Sequence, residues 1–135
     1  MSIFIAIPCY GGQIHSDFAQ CLLRLVKDLE KHEIQHTVEF LASESLISRG
    51  RNSLVAKFYA DPDWSHLLFL DADLVFNQNA IIKMLMEDKE LIGCPYPKKR
   101  YNWDKVSRLI KKNEKPQDSL SLFTDINYNL ESGIK

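Results

Sequence analysis

The chain has 135 residues, 45% hydrophobic, 10% aromatic and 26% charged, with five glycines and five prolines; this is the profile of one globular domain and excludes a collagenous, coiled-coil or wholly disordered chain. Apolar stretches such as Leu67 to Leu70 fall far short of the ~20 residues of a membrane span, and Met1-Ser2-Ile3-Phe4 has no basic run ahead of its apolar residues, so neither a transmembrane segment nor a signal peptide is expected. The formal net charge of −1 hides an asymmetry: residues 1–97 carry 8 basic and 13 acidic side chains, net −5, and residues 98–135 carry 9 and 5, net +4, which suits the C-terminal segment either to meeting an anion or to being a solvated lysine-rich surface.

Residues 3–8, IFIAIP, are apolar without alternation, which predicts a strand buried on both faces. Pro8 ends it and Cys9-Tyr10-Gly11-Gly12 follows as a loop. Ile14, Phe18, Cys21, Leu22, Leu25, Val26 and Leu29 then recur at three- and four-residue spacing, with Lys27, Glu30 and Lys31 off the stripe, so a helix is expected with Ser16 as its N-cap. Residues 36–42 read as a second strand. A second helix is expected over 48–60, with Leu54, Val55, Phe58 and Tyr59 as its apolar stripe and Asp61-Pro62-Asp63 as its stop. Residues 66–70, HLLFL, form a third buried strand that runs into Asp71-Ala72-Asp73. A third helix is expected over 78–87, capped by Asn77 or Asn79, with Ile81, Ile82 and Leu85 inward. Residues 91–94, LIGC, read as a fourth strand ended by Pro95-Tyr96-Pro97.

The order β-α-β-α-β-α-β predicts an α/β fold, a mostly parallel sheet flanked by helices and joined by right-handed crossovers. Residues 1–100 form its core and 101–135 a basic, partly irregular segment of the same domain. Within that segment 104–112 read as a short helix with Val106, Leu109 and Ile110 inward, 113–119 as an exposed loop, and Leu120, Leu122, Phe123, Ile126 and Tyr128 show no period. Ligands of such sheets bind beyond the carboxyl ends of the strands, here Pro8 to Gly12, Ala42 to Ser45, Asp71 to Asp73 and Pro95 to Arg100.

Chemistry-bearing residues concentrate at those ends. In a strand, residues two apart share a face about 7 Å apart, so Asp71 and Asp73 are expected to present paired carboxylates. Such a pair suits a hard divalent cation, Mg²⁺ or Mn²⁺; the competing reading is turn or helix capping. Arg51 precedes Leu54, Val55 and Phe58 by three, four and seven residues and lies on the apolar stripe of its own helix. An arginine there needs an anion: either a bound phosphate, which the helix N-terminus also favours, or an internal partner such as Asp71 or Asp73. Gly11 and Gly12 serve either a close backbone approach or a tight turn, and Tyr10 is placed to stack on a base. Lys98, Lys99 and Arg100 follow Pro95-Tyr96-Pro97 and suit either a diphosphate or solvent.

Cys9, Cys21 and Cys94 are odd in number and widely spaced, which predicts free thiols in a reduced compartment and no zinc site. His15, His32, His36 and His66 show no ligand or catalytic spacing and read as structural or surface residues. No GxSxG, P-loop or GxGxxG occurs.

In this order, IAIPCYGG, SLISRGRNSLVAKF, HLLFLDADLVF and LIGCPYPKK resemble the nucleotide-sugar-binding half of GT-A fold glycosyltransferases, most nearly the family 2-like enzymes, including those of phages and large viruses. The likeness spans roughly residues 3–100. It implies a Rossmann-like nucleotide-binding half, a nucleoside-diphosphate sugar donor (UDP- or GDP-linked), a glycan or other hydroxyl acceptor, and Mn²⁺ or Mg²⁺. Residue by residue it implies that Pro8 and Tyr10 line the base and ribose, Arg51 and Asn52 lie near the nucleotide phosphates, and Asp71 faces the ribose or a metal-bound water. It also implies that Asp73, with Asp71, holds the metal, and that Lys98 borders the donor site. The basic tail is not interleaved with aromatic residues in a recognisable module, so no nucleic-acid partner is expected, and the cysteine pattern fits a cytoplasmic setting, in the host cell if virus-encoded. Only 35 residues follow Arg100, so the family's acceptor half is expected to be truncated or supplied by a partner domain or a second copy. Glu114, Asp118, Asp125 and Glu131 match no acceptor-base motif, and the catalytic base is unassigned.

Two other readings compete. A non-catalytic nucleotide-sugar-binding module fits the missing acceptor half. A haloacid dehalogenase-type phosphatase shares an apolar strand before DxD, but its motif closes the first strand of the core, whereas two β-α units precede Asp71 here.

Overall fold

The computed structural model describes residues 1–104, 107–108 and 124–126, of which 97–101 and 124–126 are described by their backbone alone. The chain divides into two compact units, residues 1–89 and 90–135.

The first unit contains β1 (Ser2–Cys9), α1 (Ser16–Lys31), β2 (Gln35–Ala42), α2 (Ile47–Ala60), β3 (His66–Phe69) and α3 (Gln78–Met86). The three strands form one parallel sheet in the order β2-β1-β3. It is the α/β architecture of a Rossmann-like half-domain, and β1 is its central strand. That position explains the unbroken apolar run. Ile3, Ile5 and Ile7 enter one cluster with Phe18, Leu22, Leu25 and Leu29 of α1 and Ile81 and Leu85 of α3. Phe4 and Ala6 enter the opposite cluster with Leu54 of α2. Helices thus cover both faces, α1 and α3 on one and α2 on the other.

Register is anchored at the amino ends of β1 and β3. Ser2 N–H donates to the Ser65 hydroxyl at 2.9 Å and Ser65 N–H donates to the Ser2 hydroxyl at 2.9 Å. Ile3 then pairs with His66. Because Ser2 is buried, this reciprocal exchange satisfies groups that are costly to leave unpaired.

Several local expectations need correction. His15, not Ser16, is the N-cap of α1. It is extended, makes no side-chain cap bond, and its N–H donates to the Ala72 carbonyl at 3.1 Å, so a tertiary tie sets where the helix begins. Asn77 caps α3 as expected, accepting from Asn79 N–H. Tyr59 leaves the stripe of α2 and is 78% exposed, its ring edge against Phe58. Ile14 lies ahead of α1 and is exposed.

Residues 91–94 are not a strand: they carry no strand pairing and Leu91 is 88% exposed. A short apolar run becomes a strand only by hydrogen bonding to a neighbour, and periodicity alone does not supply one. The strand falls later. In the second unit, β4 (Pro97–Tyr101) pairs antiparallel with β5 (Thr124–Ile126) in a separate two-stranded sheet, and Pro97 takes the first strand position, where a missing N–H is tolerated. Of the expected helix over 104–112, residues 104, 107 and 108 are helical. Its remainder, the loop 113–119, and Leu120, Leu122, Phe123 and Tyr128 lie outside the described residues, as do Glu114, Asp118 and Glu131. Among the described residues no helix is long and apolar enough to cross a membrane.

Candidate functional site

The chain leaves β1 through α1 on one face and returns to β3 through α2 on the other. The carboxyl ends of β1 and β3 therefore flank the point at which the winding reverses, where open α/β sheets leave a crevice. There Leu70 N–H, just past β3, donates to the Ala6 carbonyl of β1 at 3.1 Å, and His15 N–H, at the start of α1, donates to the Ala72 carbonyl at 3.1 Å.

After β1, Tyr10–Gly12 form a single 3-10 turn. Gly11 and Gly12 have φ of 70° and 69°, a conformation that side chains disfavour. A Cβ on Gly11 would meet nothing within 4 Å, so backbone conformation, not close approach, is what the turn requires of it. Pro8 is half-buried and Tyr10 is 77% exposed, its aromatic face open at the sheet edge. Burial pushes the Cys9 thiol above its ordinary range, which disfavours the reactive thiolate.

After β3, the chain does not continue as a strand. It ends at Phe69, and residues 71–74 form a turn closed by Leu74 N–H donating to the Asp71 carbonyl at 3.0 Å. The strand alternation expected to pair Asp71 with Asp73 therefore does not apply to them; the turn presents both, each half-buried.

Arg51 and Asp71 come together across 20 residues of sequence. Arg51 Nη2 donates to Asp71 Oδ1 at 3.0 Å, and the guanidinium lies 5.7 Å from the centre of the Phe69 ring. The internal partner that the sequence left open is thus the one observed. The pair is open to solvent, with the Arg51 side chain 44% exposed and that of Asp71 31%. Arg51 Nε is buried and has no hydrogen-bond partner among the described residues. Asn52 is exposed on the next position of α2. Lys98 lies on β4, in the second unit, and not in a loop after a parallel strand.

Two residues of this edge escaped sequence reasoning. Glu44, in the loop after β2, takes Arg49 in a two-pronged pair: Nε donates to Oε2 and Nη2 to Oε1, both at 2.7 Å. Glu44 Oε1 also accepts from Leu46 N–H at 2.9 Å. First the Arg49 guanidinium and then the Leu46 N–H hold the Glu44 carboxyl down at about 2, from an ordinary 4.5. The pair spans a loop and a helix start at a spacing of five, which no helical pairing pattern flags.

At the opposite edge, Ser65, His66 and Asp88 line up as hydroxyl, imidazole and carboxylate, with Ser65 Oγ to His66 Nδ1 at 2.8 Å and His66 Nε2 to Asp88 Oδ1 at 4.0 Å. The hydroxyl proton is already given to the Ser2 carbonyl at 2.8 Å. With its proton committed there, Ser65 ties the amino ends of β1 and β3 together and is not poised as a nucleophile.

Among the described residues no three His, Cys, Asp or Glu side chains gather as a metal-holding group. Asp71 and Asp73 nonetheless supply what a Mg²⁺-type site takes from a protein when phosphate oxygens and water complete the shell, one or two carboxylates. The donor set fits a hard cation.

Comparison with protein-family models, with curated proteins and with solved structures found no match to this chain.

Proposed function

We propose that this chain binds a nucleoside-diphosphate sugar, UDP- or GDP-linked, at the carboxyl edge of β1 and β3 and acts as a metal-dependent glycosyltransferase toward a hydroxyl acceptor in the cytoplasm. The observation that carries the reading is the Arg51–Asp71 pair beside the turn that holds Asp73. A half-exposed ion pair contributes only about 0–1 kcal/mol to stability, and a buried Nε without an acceptor detracts from that. The arrangement is poor as a strut and suitable as an anion receptor.

In this reading Tyr10, open at the end of β1, stacks on the base while Pro8 shapes the wall beneath it. Arg51 lends positive charge to the diphosphate and Asn52 a neutral donor at the same helix start. Asp71, oriented by Arg51, accepts from the ribose hydroxyls. Asp71 and Asp73 would hold Mn²⁺ or Mg²⁺, which as a Lewis acid stabilises the charge that grows on the departing nucleoside diphosphate.

The phosphatase alternative sits less well with the topology, because the DxD turn follows the third strand of the sheet while β1 is central. Calorimetry with UDP, GDP and their sugars, with and without Mn²⁺, tests the proposal. Metal-dependent binding is expected; its absence with every one of these ligands overturns it. Release of inorganic phosphate from simple phosphate esters moves the assignment to a phosphatase, and donor binding without transfer moves it to a binding module.

A further inference from the structure

Two arginines stand two residues apart at the start of α2, and the structure gives them different partners. Residues two apart on a helix point about 200° from one another. Arg49 turns back to the β2–α2 loop and Arg51 toward the end of β3. Glu44 ties the loop to the helix through two guanidinium bonds and closes the loop on itself through Leu46 N–H, just ahead of the helix. Gly50, between the arginines, is buried against the same residue: a Cβ there would come within 3.2 Å of Glu44 Cγ and 3.3 Å of Leu41 Cδ2. The loop is also strained, since Ser43 holds φ of 64°, a left-handed conformation that residues with a side chain seldom adopt. Such strain persists where the surroundings over-determine it, and the three bonds to Glu44 are those surroundings.

We infer that Glu44 is a positioning residue: clasped to Arg49 and packed on Gly50, it sets the first turn of α2 so that Arg51 meets Asp71. Arg49 is a structural cation committed to Glu44, and Arg51 alone of the two is presented to a ligand. Helix α2 is otherwise seated by Leu54, one turn further along the Arg51 face. The residues between the helix start and that anchor take their direction from the loop, and Arg51 is among them. The consequence for anion binding rests on the proposed function; the positioning itself does not.

The test is NMR of the arginine side chains of the full chain. In the wild type, Arg51 Nε–H is buried and is expected to exchange with solvent at least 10-fold more slowly than the Nε–H of exposed Arg24. Glu44→Gln is expected to bring the Arg51 Nε–H exchange rate to within about 3-fold of Arg24, with a lowered thermal midpoint but the fold retained. Arg49→Lys, which keeps the charge and loses the two-pronged geometry, is expected to do the same and covers the case in which Glu44→Gln does not fold. An Arg51 signal unchanged in either folded variant overturns the inference. Mn²⁺–UDP titration of the same samples separates the two claims: a wild type that binds no nucleotide, with Arg51 exchange responding as described, removes the proposed ligand and leaves the positioning role standing.

Discussion

Arg51 contacts Asp71 through Nη2, lies over Phe69, and keeps Nε buried without a partner among the described residues. Its value to folding is therefore small, and on the proposed function its role is to receive an anion. Arg51→Met keeps most of the aliphatic contact with Phe69 and removes the charge. It is expected to change unfolding free energy by no more than about 1 kcal/mol while weakening diphosphate binding about 10- to 100-fold, the loss of one or two charge-assisted hydrogen bonds. Chemical denaturation and calorimetry on the same preparation check both halves. Asp73→Ala is expected to abolish the dependence of nucleotide binding on Mn²⁺; metal-dependent affinity that persists unchanged in a titration removes Asp73 as a ligand.

At the scale of elements, the helix ends carry the sharpest consequences. Helix α1 closes with a Schellman arrangement: Ile34 N–H donates to the Leu29 carbonyl at 2.9 Å and Glu33 N–H to the Glu30 carbonyl at 3.0 Å. Ile34 and Leu29 are both buried in the core cluster, as this motif's hydrophobic contact requires. Glu33 occupies the left-handed position with φ of 54°, where glycine is the usual residue. Glu33→Gly is expected to stabilise the protein by about 0.5–1 kcal/mol, the relief of left-handed strain less the entropy that glycine adds to the unfolded chain; the urea midpoint measures it. The loop that starts α2 has its own pH dependence. Glu44 is held at about 2 against an ordinary 4.5, so its contribution to stability is present above pH 4.5 and is lost as pH falls from there through about 2. Carboxyl-carbon NMR titration should place its midpoint near 2, and Arg49→Gln should move that midpoint up toward 4.5.

For the molecule as a whole, the sheet divides the first unit into two unequal apolar layers. The α1/α3 layer is large, whereas the α2 layer has three fully packed members, Phe4, Ala6 and Leu54, with Leu41, Phe58, Trp64, Leu67 and Phe69 around them. Leu54 is 0% exposed and is the chief link between α2 and the sheet. Leu54→Ala is expected to cost about 2–5 kcal/mol. Because α2 also carries Arg51, the loss should appear in nucleotide affinity as well as in thermal unfolding, which sets it apart from a truncation on α1.

The alternation of strands and helices, the burial of β1 on both faces, the inward stripes of α1 and α3 and the placement of Asp71 and Asp73 beyond a strand were all legible in the chain, because each is a local period or a punctuation mark: IFIAIP without a polar residue, Phe18-Cys21-Leu22-Leu25-Leu29 at helical spacing, Asn77 ahead of α3. What lies between elements was not legible. That β1 is central, that Asp71 and Asp73 sit in a turn, that Glu44 claims Arg49 while Asp71 claims Arg51, and that residues 91–94 form no strand were decided only by the tertiary structure. Periodicity follows from the backbone's own geometry and needs no partner, whereas a hydrogen bond, an ion pair or a strand edge is satisfied by whichever group the fold brings near, here one 20 residues away in the chain.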